Sequence, residues 1–276
     1  MNDPRPIGIF DSGVGGLSVW REIARQLPHE DTLYFGDQIH IPYGPRSMEQ
    51  IRSFSEAITR FLLDRGCKII VVACNTASAA ALTHLRSTFP DIAFVGMEPA
   101  VKPAAETTRT GVVGVLATPA TFQGALFASV VERFAGDVKL VNETCPGLVQ
   151  QVEAGELDTV KTRSMLAEFL QPILEARADT IVLACTHYPF VIGAIRSLAP
   201  NVNVIDPAPA IARQAYRILK DRELNAEQNR IGTHSFFTSG KIDQFRKVLR
   251  VLVNVDCEID RAVWSSNDQL LKRHAV

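Results

Sequence analysis

Two cysteines occupy the positions in this sequence that are best suited to chemistry. Cys74 and Cys185 each come directly after a short apolar run, at 69–73 and 180–184. In an open parallel sheet, ligands bind beyond the carboxyl ends of the strands. A helix that begins there offers free N–H groups, which stabilise a thiolate and lower the pKa of the cysteine below its usual value of about 8.5. Polar neighbours that can bind a ligand or cap a helix follow both cysteines: Asn75, Thr76, Thr186 and His187.

The paired thiols suit inversion of a stereocentre that carries an acidic hydrogen. Inversion needs a base on one face of the carbon and an acid on the other, and the two exchange roles in the reverse reaction. Two alternatives remain open. A Cys–His nucleophile at Cys185 and His187 leaves Cys74 unexplained, and a zinc site at all three lacks a ligand pair of the usual spacing. The other cysteines fit the commoner role of small buried apolar residues; they are Cys67, Cys145 and Cys257.

A glycine-rich turn follows the first apolar run. It reads Asp11-Ser12-Gly13-Val14-Gly15-Gly16-Leu17, and glycines there let backbone N–H groups approach an anion at the start of a helix. The spacing is not G-x-G-x-x-G, so it gives little support to a dinucleotide site. An equally good interpretation is a tight strand-to-helix turn capped by Asp11 or Ser12. Asp11 is also a candidate for taking or orienting a thiol proton.

Polar residues in other loops are candidates for the same site. The turn Pro42-Tyr43-Gly44-Pro45 can present the Tyr43 and Gly44 amides to the rim of the glycine turn, although as a turn it needs no functional explanation. Asp37 follows a second apolar run and either caps the loop or acts beside the site. Glu153 is a further candidate, although alone it is typical of a solvated helix residue.

Apolar β-rich runs alternate with amphipathic segments along the chain. The runs are continuous rather than alternating, which indicates a parallel sheet with both faces covered by helices. This order predicts a doubly wound α/β fold. We expect strands over 6–10, 32–36 and 69–73, and helices over 17–27, 47–65 and 76–89.

Three segments recur in the same order at nearly constant spacing. Those that begin at residues 7, 69 and 98 resemble those that begin at 113, 180 and 206, with offsets of 106, 111 and 108. We therefore predict two similar α/β halves related by pseudo-twofold symmetry, with the active site in the cleft between them. The first comprises 1–97 plus a returning segment 208–276, and the second comprises 98–207. Thr118 and Thr121 in the second half take the place of the Asp-Ser turn in the first.

Composition limits the class of partner. Among 276 residues, 29 Lys and Arg stand against 30 Asp and Glu, a net charge of −1, so no overall positive charge favours nucleic acid or an anionic membrane. The charge-free stretch 110–131 has a polar break at its centre and predicts a strand, a turn and a helix rather than a membrane span. Five scattered cysteines without an apolar leader favour reduced thiols and a cytoplasmic location.

Taken together, these motifs resemble the cofactor-independent glutamate racemases of the aspartate/glutamate racemase superfamily, over nearly the whole chain. The segments that carry the resemblance are 8–17, 42–44, 73–77, 114–118, 145–146, 152–155 and 183–189. The resemblance implies interconversion of L- and D-glutamate without pyridoxal phosphate or metal, which supplies D-glutamate for peptidoglycan synthesis, cell wall biogenesis and cell shape. It also implies a homodimer.

The resemblance further implies roles for individual residues. Cys74 would take the α-proton from D-glutamate, with support from Asp11, and Cys185 would take it from L-glutamate, with support from His187. Asp37 and Glu153 would be auxiliary groups. The substrate would be held by Asp11, Ser12, Tyr43, Gly44, Asn75, Thr76, Thr118, Thr121, Thr186 and His187.

One segment departs from the family pattern. Gln38-Ile39-His40-Ile41 stands where small residues are expected, and we expect it to affect the conformation of this loop and the substrate affinity, with His40 as a surface residue. Two other functions remain open. Aspartate is one methylene shorter than glutamate, a difference worth only about 1–3 kcal/mol, and a non-catalytic amino-acid-binding regulator could keep the same cleft. Both cysteines are present, which disfavours a single-cysteine decarboxylase of the same superfamily.

Overall fold

The computed structural model describes residues 2–265 and 270–273. The strands are β1 Ile7–Asp11, β2 Thr32–Gly36, β3 Ile69–Val72, β4 Ala93–Gly96, β5 Val112–Ala117, β6 Lys139–Thr144, β7 Thr180–Ala184, β8 Asn203–Ile205, β9 His234–Thr238, β10 Ile259–Trp264 and β11 Leu270–Arg273. The helices are α1 Leu17–Gln26, α2 Met48–Leu63, α3 Asn75–Thr88, α4 Val101–Thr107, α5 Pro119–Gln123, α6 Ala125–Phe134, α7 Leu148–Glu153, α8 Val160–Glu175, α9 Ile192–Leu198, α10 Ala208–Asp221 and α11 Ile242–Val253, with a 3₁₀ turn at Tyr188–Val191.

The predicted elements of the first half are confirmed to within two residues at each end. Every residue of β1, β2 and β3 is buried, as expected for strands covered by helices on both faces. Local chemistry sets the helix boundaries. Ser47, for example, begins α2 with a capping box, because its hydroxyl accepts the Gln50 N–H while the Gln50 side chain accepts the Ser47 N–H.

Two parallel sheets repeat one strand order. The first contains β2-β1-β3-β4 and the second β6-β5-β7-β8. Corresponding central strands have matching registers: Gly8 of β1 lies opposite Ile70, and Gly114 of β5 lies opposite Ile181. The predicted α/β class with two similar parallel sheets is confirmed, and the repeat seen in the sequence corresponds to this shared topology.

The C-terminal segment returns to the first sheet. β9 pairs in parallel with β2, and β10 and β11 extend that edge, so this sheet has seven strands among the described residues. α10 and α11 pack against α1. One apolar core contains residues of both sheets, including Ile9 of β1 and Leu183 of β7. We keep 1–97 with 208–276, and 98–207, as the proposed domain division. Within the described part of the chain, no helix is long and apolar enough to cross a membrane.

Candidate active site

Both cysteines line one small cavity between the two sheets. Cys74 directly follows Ala73 at the end of β3, and Cys185 follows Ala184 at the end of β7. The cavity has a volume of about 20 Å³ and shares wall residues with a wider cavity of about 720 Å³. Its walls include ten residues that the sequence predicts for the site: Ser12, Tyr43, Gly44, Cys74, Asn75, Thr76, Thr118, Cys185, Thr186 and His187.

Four predicted residues stand behind the cavity wall rather than on it. Asp11, Asp37, Glu153 and Thr121 each contact a wall residue through a hydrogen bond. Val149 also lies on the wall, although the sequence does not predict it for the site. It is an apolar residue in the loop-to-helix segment after Cys145-Pro146, and its type gives no local signal of a site.

Cys74 is the N-cap of α3, where it is almost fully buried. Its sulfur accepts the Ala77 N–H at 3.4 Å, and its thiol donates to the Ser12 hydroxyl at 3.8 Å. The expected helix N–H contact is therefore present. Burial, reinforced by the negative charge of Asp11, nevertheless raises the pKa of Cys74 far above its usual value. The expectation of a stabilised thiolate at this position is wrong, because desolvation outweighs the helix terminus.

Cys185 lies beside a histidine–carboxylate pair. Its sulfur is 3.8 Å from His187 Nδ1, and His187 Nε2 is 2.8 Å from Glu153 Oε1. Burial alone would lower the pKa of His187, but the hydrogen bonds to Cys185 and Glu153 outweigh burial and hold this pKa well above the usual value. The raised pKa favours the protonated imidazole, which faces the Cys185 sulfur and pairs with the Glu153 carboxylate.

The glycine turn between β1 and α1 contacts side chains from the second half of the chain. The Val14 N–H donates to Glu153 Oε1 at 2.7 Å, so the anion predicted at this turn is a side chain of the protein itself. A Cβ on Gly13 would overlap Glu153, and a Cβ on Gly15 would overlap the His187 ring. The glycines are needed here because the two halves meet without space for a side chain.

Asp11 joins the glycine turn to the second half. Its carboxylate accepts the Gly13 N–H at 2.8 Å and the Thr186 hydroxyl at 3.2 Å. The side chain is fully buried, and burial raises its pKa in spite of the nearby His187 charge. Asp11 is therefore a better proton acceptor than an exposed aspartate.

Asp37 is buried behind Tyr43. One carboxylate oxygen accepts the Tyr43 hydroxyl at 2.8 Å and lies 2.8 Å from His40 Nδ1, and the other accepts the Ser239 hydroxyl and the Trp264 indole N–H. The expectation for His40 is wrong in one respect. It is half-buried rather than a plain surface residue, because its ring stacks on Phe54 at 3.9 Å between centroids.

Hydroxyl and amide groups form another part of the cavity wall. The hydroxyl oxygens of Thr76, from the first half, and Thr118, from the second half, are 3.0 Å apart. The Thr121 hydroxyl oxygen lies 3.0 Å from that of Thr118 and extends this row of hydroxyl groups. The amide of Asn75 is buried, and neither its nitrogen nor its oxygen has a partner among the described residues. A buried amide without protein partners is a group that a ligand can satisfy.

Known proteins are similar to this chain in sequence and in fold. The family model for Asp/Glu/Hydantoin racemase matches residues 7–215. A glutamate racemase from Herpetosiphon aurantiacus is 51% identical over 249 residues, which cover 90% of this chain and 98% of the relative. The chain belongs to the glutamate racemase family. These racemases are isomerases, as the resemblance in the sequence implies.

Solved glutamate racemases also match the whole fold. The enzyme from Francisella tularensis in complex with D-glutamate superposes with a TM-score of 0.82 at 29% identity, covering 95% of this chain and 98% of that one. The Escherichia coli enzyme in complex with L-glutamate and the activator UDP-MurNAc-Ala superposes with a TM-score of 0.81 at 32% identity, covering 97% and 100%. The described residues of this family member contain no group of three or more His, Cys, Asp or Glu side chains placed to hold a metal.

Proposed function

We propose that this glutamate racemase inverts Cα of glutamate by proton transfer between two cysteines. Cys185 takes the α-proton of L-glutamate, and Cys74 takes that of D-glutamate. The observation that carries this proposal is that the two cysteines follow strands of different sheets, β3 and β7, yet line the same cavity. A flat carbanion held between them can lose and gain its proton on opposite faces.

The charges around each sulfur support this assignment for L-glutamate. His187 Nδ1 lies 3.8 Å from the Cys185 sulfur and can donate a hydrogen bond to it, while burial and Asp11 raise the pKa of Cys74 and favour its neutral thiol. The Cys185 thiolate then takes the α-proton, the electron pair stays on Cα, and the Cys74 thiol supplies a proton to the other face. Cys74 is left as a thiolate and Cys185 as a thiol.

The reverse reaction needs a proton to leave Cys74. Asp11 is the group next to Cys74 that supports this step, because its raised pKa makes it a better proton acceptor. For return to the starting protonation state, the Cys185 thiol releases a proton to solvent and the Cys74 thiolate takes one up from solvent or through Asp11. Each thiol therefore has its own partner, Asp11 for Cys74 and His187 for Cys185.

The polar wall supports glutamate binding without a cofactor. The α-proton of an amino acid is weakly acidic, so the site has to stabilise a carbanion by hydrogen-bond donors in a dry environment. The unpartnered Asn75 amide and the Thr76 and Thr118 hydroxyls can bind the carboxylates and the ammonium group.

Incubation of the purified protein in D₂O tests this proposal. With L-glutamate and no added cofactor, we expect the optical rotation to decay to zero while the α-proton signal disappears from the NMR spectrum. L-Aspartate in a parallel incubation serves as the test of the alternative substrate, and we expect it to react much more slowly. Binding of glutamate without loss of the α-proton would overturn the proposal in favour of a regulator.

We also propose the biological setting. D-Glutamate produced here would enter peptidoglycan synthesis, which the family supports, and reduced thiols at both active-site positions fit a reducing cytoplasm. We propose a homodimer, because glutamate racemases commonly form one. Light scattering during size-exclusion chromatography tests the assembly, with a mass twice the chain's 30.3 kDa expected. A mass equal to one chain would contradict the dimer.

A further inference from the structure

Gln38 belongs to the segment that departs from the family pattern, and the proposed mechanism does not use it. It directly follows Asp37 in the loop after β2 and is half-buried between the two halves of the molecule. Its side-chain nitrogen donates to Glu153 Oε2 at 3.0 Å, and its side-chain oxygen accepts the Thr238 hydroxyl at 2.9 Å. Gln38 thus connects the C-terminal end of β9 to the carboxylate that holds His187.

The neighbours of Gln38 fix the direction of its amide. The Gly240 N–H donates to the Thr238 hydroxyl oxygen at 3.0 Å, which leaves the Thr238 proton to be donated to the Gln38 oxygen. A carboxylate only accepts hydrogen bonds, so Glu153 has to face the Gln38 NH₂ group. Thr238 is fully buried, and this arrangement therefore has little freedom to rotate.

Gln38 contacts the oxygen of Glu153 that His187 does not use. Oε1 accepts from the Val14 N–H and is paired with His187 Nε2, whereas Oε2 accepts from Gln38. Within the described part of the chain, no other hydrogen-bond donor contacts Oε2. With both oxygens held, the plane of the carboxylate is fixed, and this fixes the direction in which Oε1 meets the imidazole.

We propose that Gln38 is a positioning residue for proton transfer at Cys185. It acts through Glu153 and His187, and Thr238 orients it. The inference rests on the proposed function, in which Cys185 is the base for L-glutamate. No comparable link runs from Gln38 to Cys74 among the described residues. The effect of Gln38 is therefore confined to one of the two thiols.

The test has to separate the two proton transfers. L- and D-glutamate have equal free energies in water, so kcat/KM is the same in both directions and cannot reveal a one-sided defect. The primary deuterium isotope effect can, because deuterium on the α-carbon of L-glutamate is transferred to Cys185, and that of D-glutamate to Cys74. A higher barrier at Cys185 raises the isotope effect with L-glutamate and lowers it with D-glutamate.

Gln38→Met keeps the approximate size of the side chain and removes the amide. We expect kcat/KM to fall about tenfold with both enantiomers, the cost of a small misplacement, and the isotope effect to rise with L-glutamate and fall with D-glutamate. Thr238→Val should change the isotope effects in the same sense but less, and Thr238→Ser should restore the wild-type pattern.

Gln26→Met is the matched control, because Gln26 contacts Glu22 and the Pro209 carbonyl rather than the site. Equal isotope effects in Gln38→Met and the wild type, or equal changes with both enantiomers, would overturn the inference. If Gln38→Met does not fold, the Thr238→Val and Thr238→Ser pair decides by the same measurement. The proposed function fails separately, through the absence of any α-proton exchange in the wild type.

Discussion

The two thiol sites have the same position in the fold and opposite electrostatic surroundings. Cys74 and Cys185 follow corresponding strands, β3 and β7, in sheets of the same strand order. Beside Cys74 lies the carboxylate of Asp11, and beside Cys185 lies the imidazole of His187, whose pKa is raised. Duplication of the topology therefore places both sulfurs, while the few residues around each sulfur determine its chemistry.

The chain after each cysteine explains this difference. α3 begins directly at Asn75, so Cys74 caps a helix of 14 residues and its sulfur accepts a helix N–H. After Cys185, a short 3₁₀ turn begins only at Tyr188. His187 is therefore outside the regular helix and can direct its ring back to the Cys185 sulfur. Because the helix begins directly after Cys74 but later after Cys185, Cys74 contacts a helix N-terminus and Cys185 contacts a histidine.

Removal of either sulfur should have the largest effect. We expect Cys74→Ala and Cys185→Ala each to lower racemisation by at least about 10³-fold, because each variant lacks the acid or the base of the transfer. In D₂O, Cys74→Ala should still exchange the α-proton of L-glutamate without inversion, and Cys185→Ala that of D-glutamate. NMR and optical rotation on the same samples measure both properties. Full turnover in either variant would remove the two-base mechanism.

Removal of the charged partners should give opposite defects of intermediate size. We expect His187→Gln and Asp11→Asn each to lower kcat/KM by about 10- to 100-fold with both enantiomers. The isotope effect should rise with L-glutamate in His187→Gln and with D-glutamate in Asp11→Asn. Primary isotope effects with both enantiomers measure where each barrier rises. The comparison between the two sites would be wrong if both variants raised the isotope effect with the same enantiomer.

A methyl group at the glycine turn should affect stability and the Cys185 side together. In Gly15→Ala the new Cβ overlaps the His187 ring, so we expect a loss of about 1–3 kcal/mol in the free energy of unfolding. Chemical denaturation measures this change. Gly193→Ala is the matched control, because no atom lies near its Cβ and it belongs to α9, where alanine stabilises by up to about 1 kcal/mol. Equal stability changes in both variants would contradict the tight contact between the halves.

The smallest expected effect is a pH dependence of stability from His187. Its pKa is higher in the folded protein than the usual 6.5, so the folded state binds more protons than the unfolded state above that pH. The stabilisation is complete below about 6.5 and is lost as pH rises through the folded value. We expect the stability difference between the wild type and His187→Gln to shrink as pH rises above about 6.5, measured by denaturation. A constant difference would contradict a charged His187.

The sequence is sufficient to predict the elements that position the site and most of its walls. Cys74, Asn75 and Thr186 follow apolar runs directly, so strand ends and the internal repeat place them together. Contacts between distant segments carry no such local signal. The glycine turn is predicted to bind an anion, yet the identity of that anion, Glu153, depends on a contact across 139 residues.

The pKa shifts in the site also cannot be predicted from the sequence. The helix terminus at Cys74 is visible in the sequence, but the opposing effect, burial, exists only once the two halves enclose the thiol. His40 similarly reads as a surface residue until Phe54 and Asp37 are placed against it. Signals along the chain thus predict which side chains line the cavity, whereas the environment of each group depends on the tertiary fold.

The extra pairing of the first sheet has a consequence for biosynthesis. The four strands of the second sheet lie within residues 112–205, whereas Thr32 of β2 pairs with His234 of β9. Pairing over such a separation is slow, because a long loop has to close first. We therefore expect nascent chains that end near residue 210 to resist proteolysis in the second sheet while the edge of β2 stays unpaired and open to aggregation. The half that leaves the ribosome first is the half that is completed last.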